Sequence, residues 1–244
     1  MKRKYVDLHL RPDLRNEQKA KNMINKAAAL GYSLVGLTLS PNFRKDEMNR
    51  LKCLCSEAGV DFVSRIDLKP RSPKELLDSL RKFRRRVEVI AVMCESKNVA
   101  RQAAKDRRVD LLNFPSTDFH RRFFDKPEAE LASNSLVALE IDLQPLLLLE
   151  GIVRIRLLAS LRREVAIALG FRIPIVVSSG VTDEMLVRKP LEQAALALLF
   201  SLDKVVALSA VSENPLAIVR RNRAKLDSKF VAPGIRLIRR GTDC

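Results

Sequence analysis

An aspartate, a histidine and an arginine occupy alternate positions in Tyr5-Val6-Asp7-Leu8-His9-Leu10-Arg11. Side chains on a β-strand point to opposite faces in turn, so Asp7, His9 and Arg11 would share one face and Val6, Leu8 and Leu10 the other. A carboxylate and an imidazole presented together are donors for a divalent metal, which can activate water to cleave a phosphoester. Arg11 does not suit that chemistry, because a guanidinium offers no lone pair and repels a cation. The same alternation pairs Arg65 with Asp67 and Glu140 with Asp142, while Ser178-Ser179-Gly180 closes another apolar run.

These residues admit three readings. In the first, Asp7, His9, Glu140 and Asp142 hold a metal and hydrolyse a phosphoester. In the second, Asp7, Arg65 and Glu140 form a hydrogen-bonded charge network where a metal might have sat, since buried charges persist only when paired. His9 is then a structural donor and acceptor rather than a base. The chain has only two histidines, His9 and His120, and a convergent metal cluster usually needs more; this favours the second reading and no bound metal. In the third, the backbone N–H groups of Ser178–Gly180 cradle a phosphate ahead of a helix N-capped by Thr182, with Asp183 and Glu184 in its first turn. There is no glycine-rich nucleotide loop and no nucleophile with an adjacent base.

The elements that position these groups recur along the whole chain. Short β-rich runs fall at 5–10, 34–39, 61–68, 87–94, 109–114, 136–143, 173–178 and 205–211. Helical periodicity lies between them at 16–30 and 73–86, and over 146–169 as the longest helix. Asn214-Pro215 reads as an N-cap followed by proline at the first helical position. A polar loop with a short helix covers 118–134. Strand–helix alternation implies parallel βαβ units. Eight such units in 244 residues match a TIM-type (β/α)8 barrel filling a single domain over 1–244, with 235–244 a loose basic tail. In that fold, function sits at the C-terminal ends of the strands. An open doubly wound sheet would want glycine after the first strand, where Arg11-Pro12-Asp13-Leu14 has none.

Composition narrows the partners. Lysine and arginine total 45 against 29 acidic residues, a formal charge of +16. That excess points to nucleic acid, because neutralising phosphates releases condensed counterions. With no tryptophan and two tyrosines, stacking on unpaired bases is a poorer fit than contact with phosphates or folded RNA shape. Basic stretches recur: 81–86, 101–108, 120–122, 154–163, 188–189 and 220–223. No stretch is apolar enough to span a membrane, and Cys53, Cys55, Cys94 and Cys244 lack the spacing of a zinc knuckle. Reduced thiols and a cytoplasmic location are expected.

The ordered blocks resemble a known family. They are the Tyr5–His9 opening, Asp110-Leu111-Leu112-Asn113-Phe114-Pro115, Leu139-Glu140-Ile141 with Pro145-Leu146-Leu147, and Leu161-Arg162-Arg163-Glu164-Val165. Pro174 to Gly180 follows, with Arg188 and Pro190, then Ala210-Val211-Ser212, Pro215 and Asn222. Together they are similar to the archaeal ribonuclease P protein component 3 family and its eukaryotic nuclear homologue. One departure is Val181, where a small residue would be expected.

The resemblance implies a barrel related to the PHP-type metal-dependent phosphoesterases, whose Asp-x-His-x-His opening is broken here at Arg11. It implies a subunit of the endonuclease that matures tRNA 5′ ends. The RNA subunit would carry the catalysis with its own Mg²⁺, leaving no catalytic residue and no cofactor on this chain. Expected partners are the ribonuclease P RNA, precursor tRNA indirectly, the small protein component 2 (the Pop-five homologue) and the other proteins of the particle. Arg65, Arg101, Arg107, His120, Arg162 and Arg188 are the expected RNA contacts; Arg101 and Arg107 rest on charge alone. Asp7, His9, Arg11 and Glu140 would be a structural remnant at the barrel mouth.

Overall fold

The computed structural model describes residues 3–116, 118–227, 229–232 and 235–237; of His120, Val231 and Arg236 it describes the backbone alone. Residues 238–244, most of the expected basic tail and Cys244 among them, lie outside the described residues.

Seven parallel strands pair in sequence order into a nearly closed barrel: β1 (Val6–Leu10), β2 (Leu34–Leu39), β3 (Asp61–Leu68), β4 (Val89–Met93), β5 (Leu111–Asn113), β6 (Ala138–Asp142) and β7 (Ile175–Ser178). Helices α1 (Glu17–Ala29), α2 (Lys45–Glu57), α3 (Pro73–Phe83), α4 (Lys97–Lys105) and α5 (Lys126–Ser133) follow the first five strands. Local chemistry starts these helices: Asn16, Ser72, Ser96 and Asp125 each accept a hydrogen bond from the N–H three residues on.

After β6 the expected single long helix is two, α6 (Gln144–Leu148) and α7 (Gly151–Gly170). The break falls where Leu149 is extended and Gly151 takes a φ of +54°, a conformation glycine adopts without steric cost. Thr182 is not a cap; Asp183 caps a single 3₁₀ turn, Glu184–Leu186, by accepting from Met185 N–H.

The expected eighth strand is a helix. Residues Lys204–Ala210 form α9, between α8 (Pro190–Ala197) and α10 (Glu213–Leu226). The apolar run from Val205 to Ala210 does not by itself distinguish strand from helix. Asp203 decides it by accepting from both Val205 and Val206 N–H at 2.8 and 2.9 Å. The gap between β7 and β1 is closed by other bonds: Gly180 N–H to His9 O, Arg11 N–H to Val181 O, and Val6 N–H to Val211 O, at 2.9–3.0 Å. Ser212, not Asn214, sits at the N-cap position of α10; Asn214 instead donates to Ile175 O of β7 at 2.8 Å.

Two apolar clusters hold the barrel. One fills the N-terminal half of its interior with Val6, Leu8, Val63, Val89, Leu111 and Val176, plugged from below by Ile218 and Val219 of α10. The larger lies between strands and helices. Among the described residues no helix is long and apolar enough to cross a membrane. Cys53, Cys55 and Cys94 are free thiols.

Candidate functional site at the barrel mouth

Strand β1 does not keep its alternation. Its pairing with β2 slips between Asp7 and Leu10, and Val6 and Leu8 face the interior cluster while Leu10 joins the outer one. The slip is a bulge that turns His9 inward and leaves Asp7 outward. Gly36 on β2 makes room for it, because a Cβ there would collide with the Leu8 backbone. Asp7 and His9 therefore do not share a face.

Asp7, wholly buried, lies on the helix side. One oxygen accepts from the N–H groups of His9 and Ser179 at 3.1 Å each; the other accepts from the Ser179 hydroxyl and from Gln193 Nε2 of α8. Burial without a cationic hydrogen-bond partner raises its pKa above the usual carboxylate value, more than these bonds lower it. Asp7 is thus outside the expected network with Arg65 and Glu140.

That network exists without it. The Arg65 guanidinium, fully buried, meets both oxygens of Glu140 at 2.5 and 2.6 Å and donates to Asp67 at 2.7 Å and to Leu8 O at 3.0 Å. Glu140 also accepts from Asn113 at 3.0 Å and from the Ser178 hydroxyl at 2.8 Å. His9 lies between two carboxylates, with Nδ1 2.7 Å from Asp142 and Nε2 2.9 Å from Asp67. Burial and the Arg65 charge oppose protonation of His9, but Asp142 and Asp67 outweigh them and lift its pKa to about 10. It is an imidazolium at neutral pH, donating from both nitrogens. Despite burial, Asp67 is held below the ordinary carboxylate range by Arg65 and then His9, and Asp142 by His9 and then Arg65.

One donor atom each from His9, Glu140 and Asp142 lies within 4.8 Å of the others, the spacing a metal would require. The chemistry does not fit. Both Glu140 oxygens carry Arg65, whose fixed positive charge within the cluster repels a cation. The layer is a closed ion-pair lattice with neither a free base nor a nucleophile.

Arg11 stands at the rim of the mouth, donating to Gly180 O and, at 2.9 Å, to Gln144. Within the Ser178–Gly180 turn, Ser179 N–H is taken by Asp7 and Gly180 N–H by His9 O. No phosphate cradle remains there, and the turn that follows is too short to supply a helix N-terminus.

The expected RNA contacts separate by burial. Arg65 cannot touch RNA, since it has no exposed surface and its charge is spent on Glu140 and Asp67. Arg101 clasps Asp125 and Glu128 at 2.8 Å each. Arg107 and Arg162 are exposed, and Arg188 is half-buried. The His120 side chain lies outside the described residues. Asn113 was missed as a site residue, although the alternation of 109–114 places it on the inward face beside Glu140 and Asp142, donating to both.

The chain matches the family described as RNase P subunit p30 over residues 4–227. Similar proteins include the ribonuclease P protein component 3 of Methanosarcina barkeri, 32% identical over 225 residues and covering 91% of each chain. That of Methanococcoides burtonii is 30% identical over 232 residues, 95% of this chain and 92% of its own. Among solved structures, a chain of an archaeal ribonuclease P with mature tRNA, seen by cryo-electron microscopy, superposes with a TM-score of 0.85. It is 22% identical, and the match covers 98% of this chain and all of the other. A prolidase-like crystal structure from Bifidobacterium longum shares the barrel at a TM-score of 0.57 and 11% identity, over 90% of this chain and 70% of the other.

Proposed function

The chain belongs to the RNase P subunit p30 family, and from that premise we propose that it is a non-catalytic protein subunit of ribonuclease P, the endonuclease that forms mature tRNA 5′ ends. On this reading it binds and stabilises the catalytic RNA, and the RNA holds the Mg²⁺ and cleaves precursor tRNA. The observation that carries the non-catalytic role is Arg65 seated on Glu140 beneath a His9 clasped by two aspartates. Within the barrel layer Glu140 is held by Arg65, and Asp67 and Asp142 by His9, while Asp7 lies outside it on neutral donors. The formal charge of +16 supports a polyanionic partner. Arg107 and Arg162 are exposed, while Arg101 and Arg188 are half-buried and Arg101 is already held by Asp125 and Glu128. We further propose the small protein component 2 as a direct partner within the particle.

Reconstitution tests this. Ribonuclease P RNA, with and without this chain and the small protein, is assayed for precursor-tRNA cleavage at limiting Mg²⁺. The chain should raise cleavage while showing none by itself. Turnover by the isolated protein, or no effect on the RNA in any combination, overturns the proposal.

A further inference from the structure

The end of the barrel opposite the mouth carries an unbalanced group of cations. Asp110, just ahead of β5 and almost fully buried, accepts from Arg84 at 2.7 Å, Arg221 at 2.7 Å, Asn222 at 2.8 Å and Ile90 N–H at 3.0 Å. One carboxylate thus serves two guanidinium groups. Arg84 comes from the end of α3 and also donates to Arg108 O; its Nη2 is buried and has no hydrogen-bond partner among the described residues. Lys225, on α10, and Arg107, in the turn after α4, have no hydrogen bond or ion pair among the described residues. Burial lowers the Lys225 pKa, and Arg221, Arg84 and Arg107 lower it further while only Asp110 opposes them. The four cations therefore feel one another across three chain segments, with one buried carboxylate among them.

Crowding like charges costs stability unless a partner of opposite sign relieves it. Protein interfaces are enriched in arginine but depleted in lysine, and their buried centres are largely apolar. Most exposed large apolar side chains lie on α7, α8 and α9, as with Ile152, Ile155, Leu191 and Val205, against Leu136 and Leu226 beside these cations. The partner that suits several fixed cations without an apolar centre is a phosphate backbone. We propose that this N-terminal end of the barrel is an RNA-binding surface, with Arg107 and Lys225 contacting phosphates and Arg84 and Arg221 behind them. This rests on the subunit reading above and gives it a face, the opposite end from the mouth where barrels commonly bind ligands.

The test uses the full chain and transcribed ribonuclease P RNA from the same organism, with affinity measured across a salt series. The double variant Arg107→Ala/Lys225→Ala removes two side chains that brace nothing and two of the crowded charges, so its melting temperature should equal or exceed the parent's. Its affinity should fall about tenfold or more, and the slope of log affinity against log salt should shrink by about two, one per lost phosphate contact. Lys69→Ala/Lys74→Ala, two exposed lysines at the barrel mouth, serves as the comparison and should leave affinity and slope nearly unchanged. Unchanged affinity and slope in the first variant overturn the inference alone, as does a defect confined to binding the small protein partner. Failure of the parent chain to bind the RNA at any salt overturns the subunit reading, and the inference with it.

Discussion

Both Nη atoms of Arg65 on β3 rest on the two carboxylate oxygens of Glu140 on β6, so one buried fork spans the barrel between non-adjacent strands. Neither group has exposed side-chain surface. Such a pair contributes little relative to apolar side chains of the same shape, but losing one member strands a charge, at a cost of about 3–5 kcal/mol. Arg65→Ala and Glu140→Ala should each lower stability by that order in urea unfolding. The double variant should lose distinctly less than the sum of the two. Strict additivity would mean the two groups are held independently.

His9 gives a pH signature. Its pKa is about 10 folded, against about 6.5 for an unperturbed histidine, so folding favours its protonated form. The resulting stabilisation is complete below about pH 6.5 and is lost as pH rises toward 10, at most about 5 kcal/mol over the whole interval. Asp67 and Asp142 act in the opposite sense. Their folded pKa values lie below the ordinary 3.8, so their contribution is present above that value and fades as pH falls beneath it. Stability should therefore decline from pH 6.5 to 10 in the parent, with most of that decline absent in His9→Gln. Nitrogen-15 spectra at pH 7.5 should show both ring nitrogens protonated; a neutral tautomer there would refute the assignment.

Much of this was legible because it depends on local pattern. The alternation of β3 and β6 placed Arg65, Asp67, Glu140 and Asp142 inward, and helical periodicity placed α1 and α3, whereas the caps read at Thr182 and Asn214 were both misplaced. Asp7 was misplaced because a bulge is invisible to a period-two reading. Its cause, the close approach of Gly36 to the Leu8 backbone, joins residues 28 positions apart. Residues 205–211 misled for the same kind of reason: the strand position they would fill is satisfied by Val181 and Val211 reaching β1 from outside any strand. Arg65 was expected both in a buried charge network, from alternation, and at RNA, from the resemblance; its burial against Glu140 and Asp67 leaves the first.

A second fork fixes the segment after β5. Arg122 meets Glu164 of α7 at 2.8 Å through Nε and at 2.5 Å through Nη2. It also donates to the carbonyls of Phe114 and Pro115 at 3.2 and 2.7 Å. Removing it leaves Glu164 charged and enclosed and two carbonyls without donors, so Arg122→Ala should cost about 3 kcal/mol or more. Proteolysis should reach the 114–125 loop in that variant well before the barrel unfolds. Equal protease resistance in parent and variant would show that packing of α5, rather than Arg122, holds the loop.

On the proposed reading Arg65 keeps a cation out of the mouth, and that can be reversed. Without the guanidinium, the Glu140 oxygens keep only the neutral donors Asn113 and Ser178, and His9 can give up its proton once a metal supplies the positive charge instead. Arg65→Met keeps much of the buried volume while removing the charge. The parent should show no change in melting temperature with millimolar Mn²⁺ or after EDTA treatment. Arg65→Met, less stable to begin with, should be stabilised by Mn²⁺ in a saturable manner, by about 2.7 kcal/mol at a hundredfold excess over the dissociation constant. Stabilisation of the parent by Mn²⁺ would mean the ion-pair lattice opens to metal and that the hydrolytic reading deserves a direct assay. If the variant gains nothing, the donors Glu140, Asp142 and His9 are too tightly committed to Asn113, Ser178 and one another to turn toward an ion.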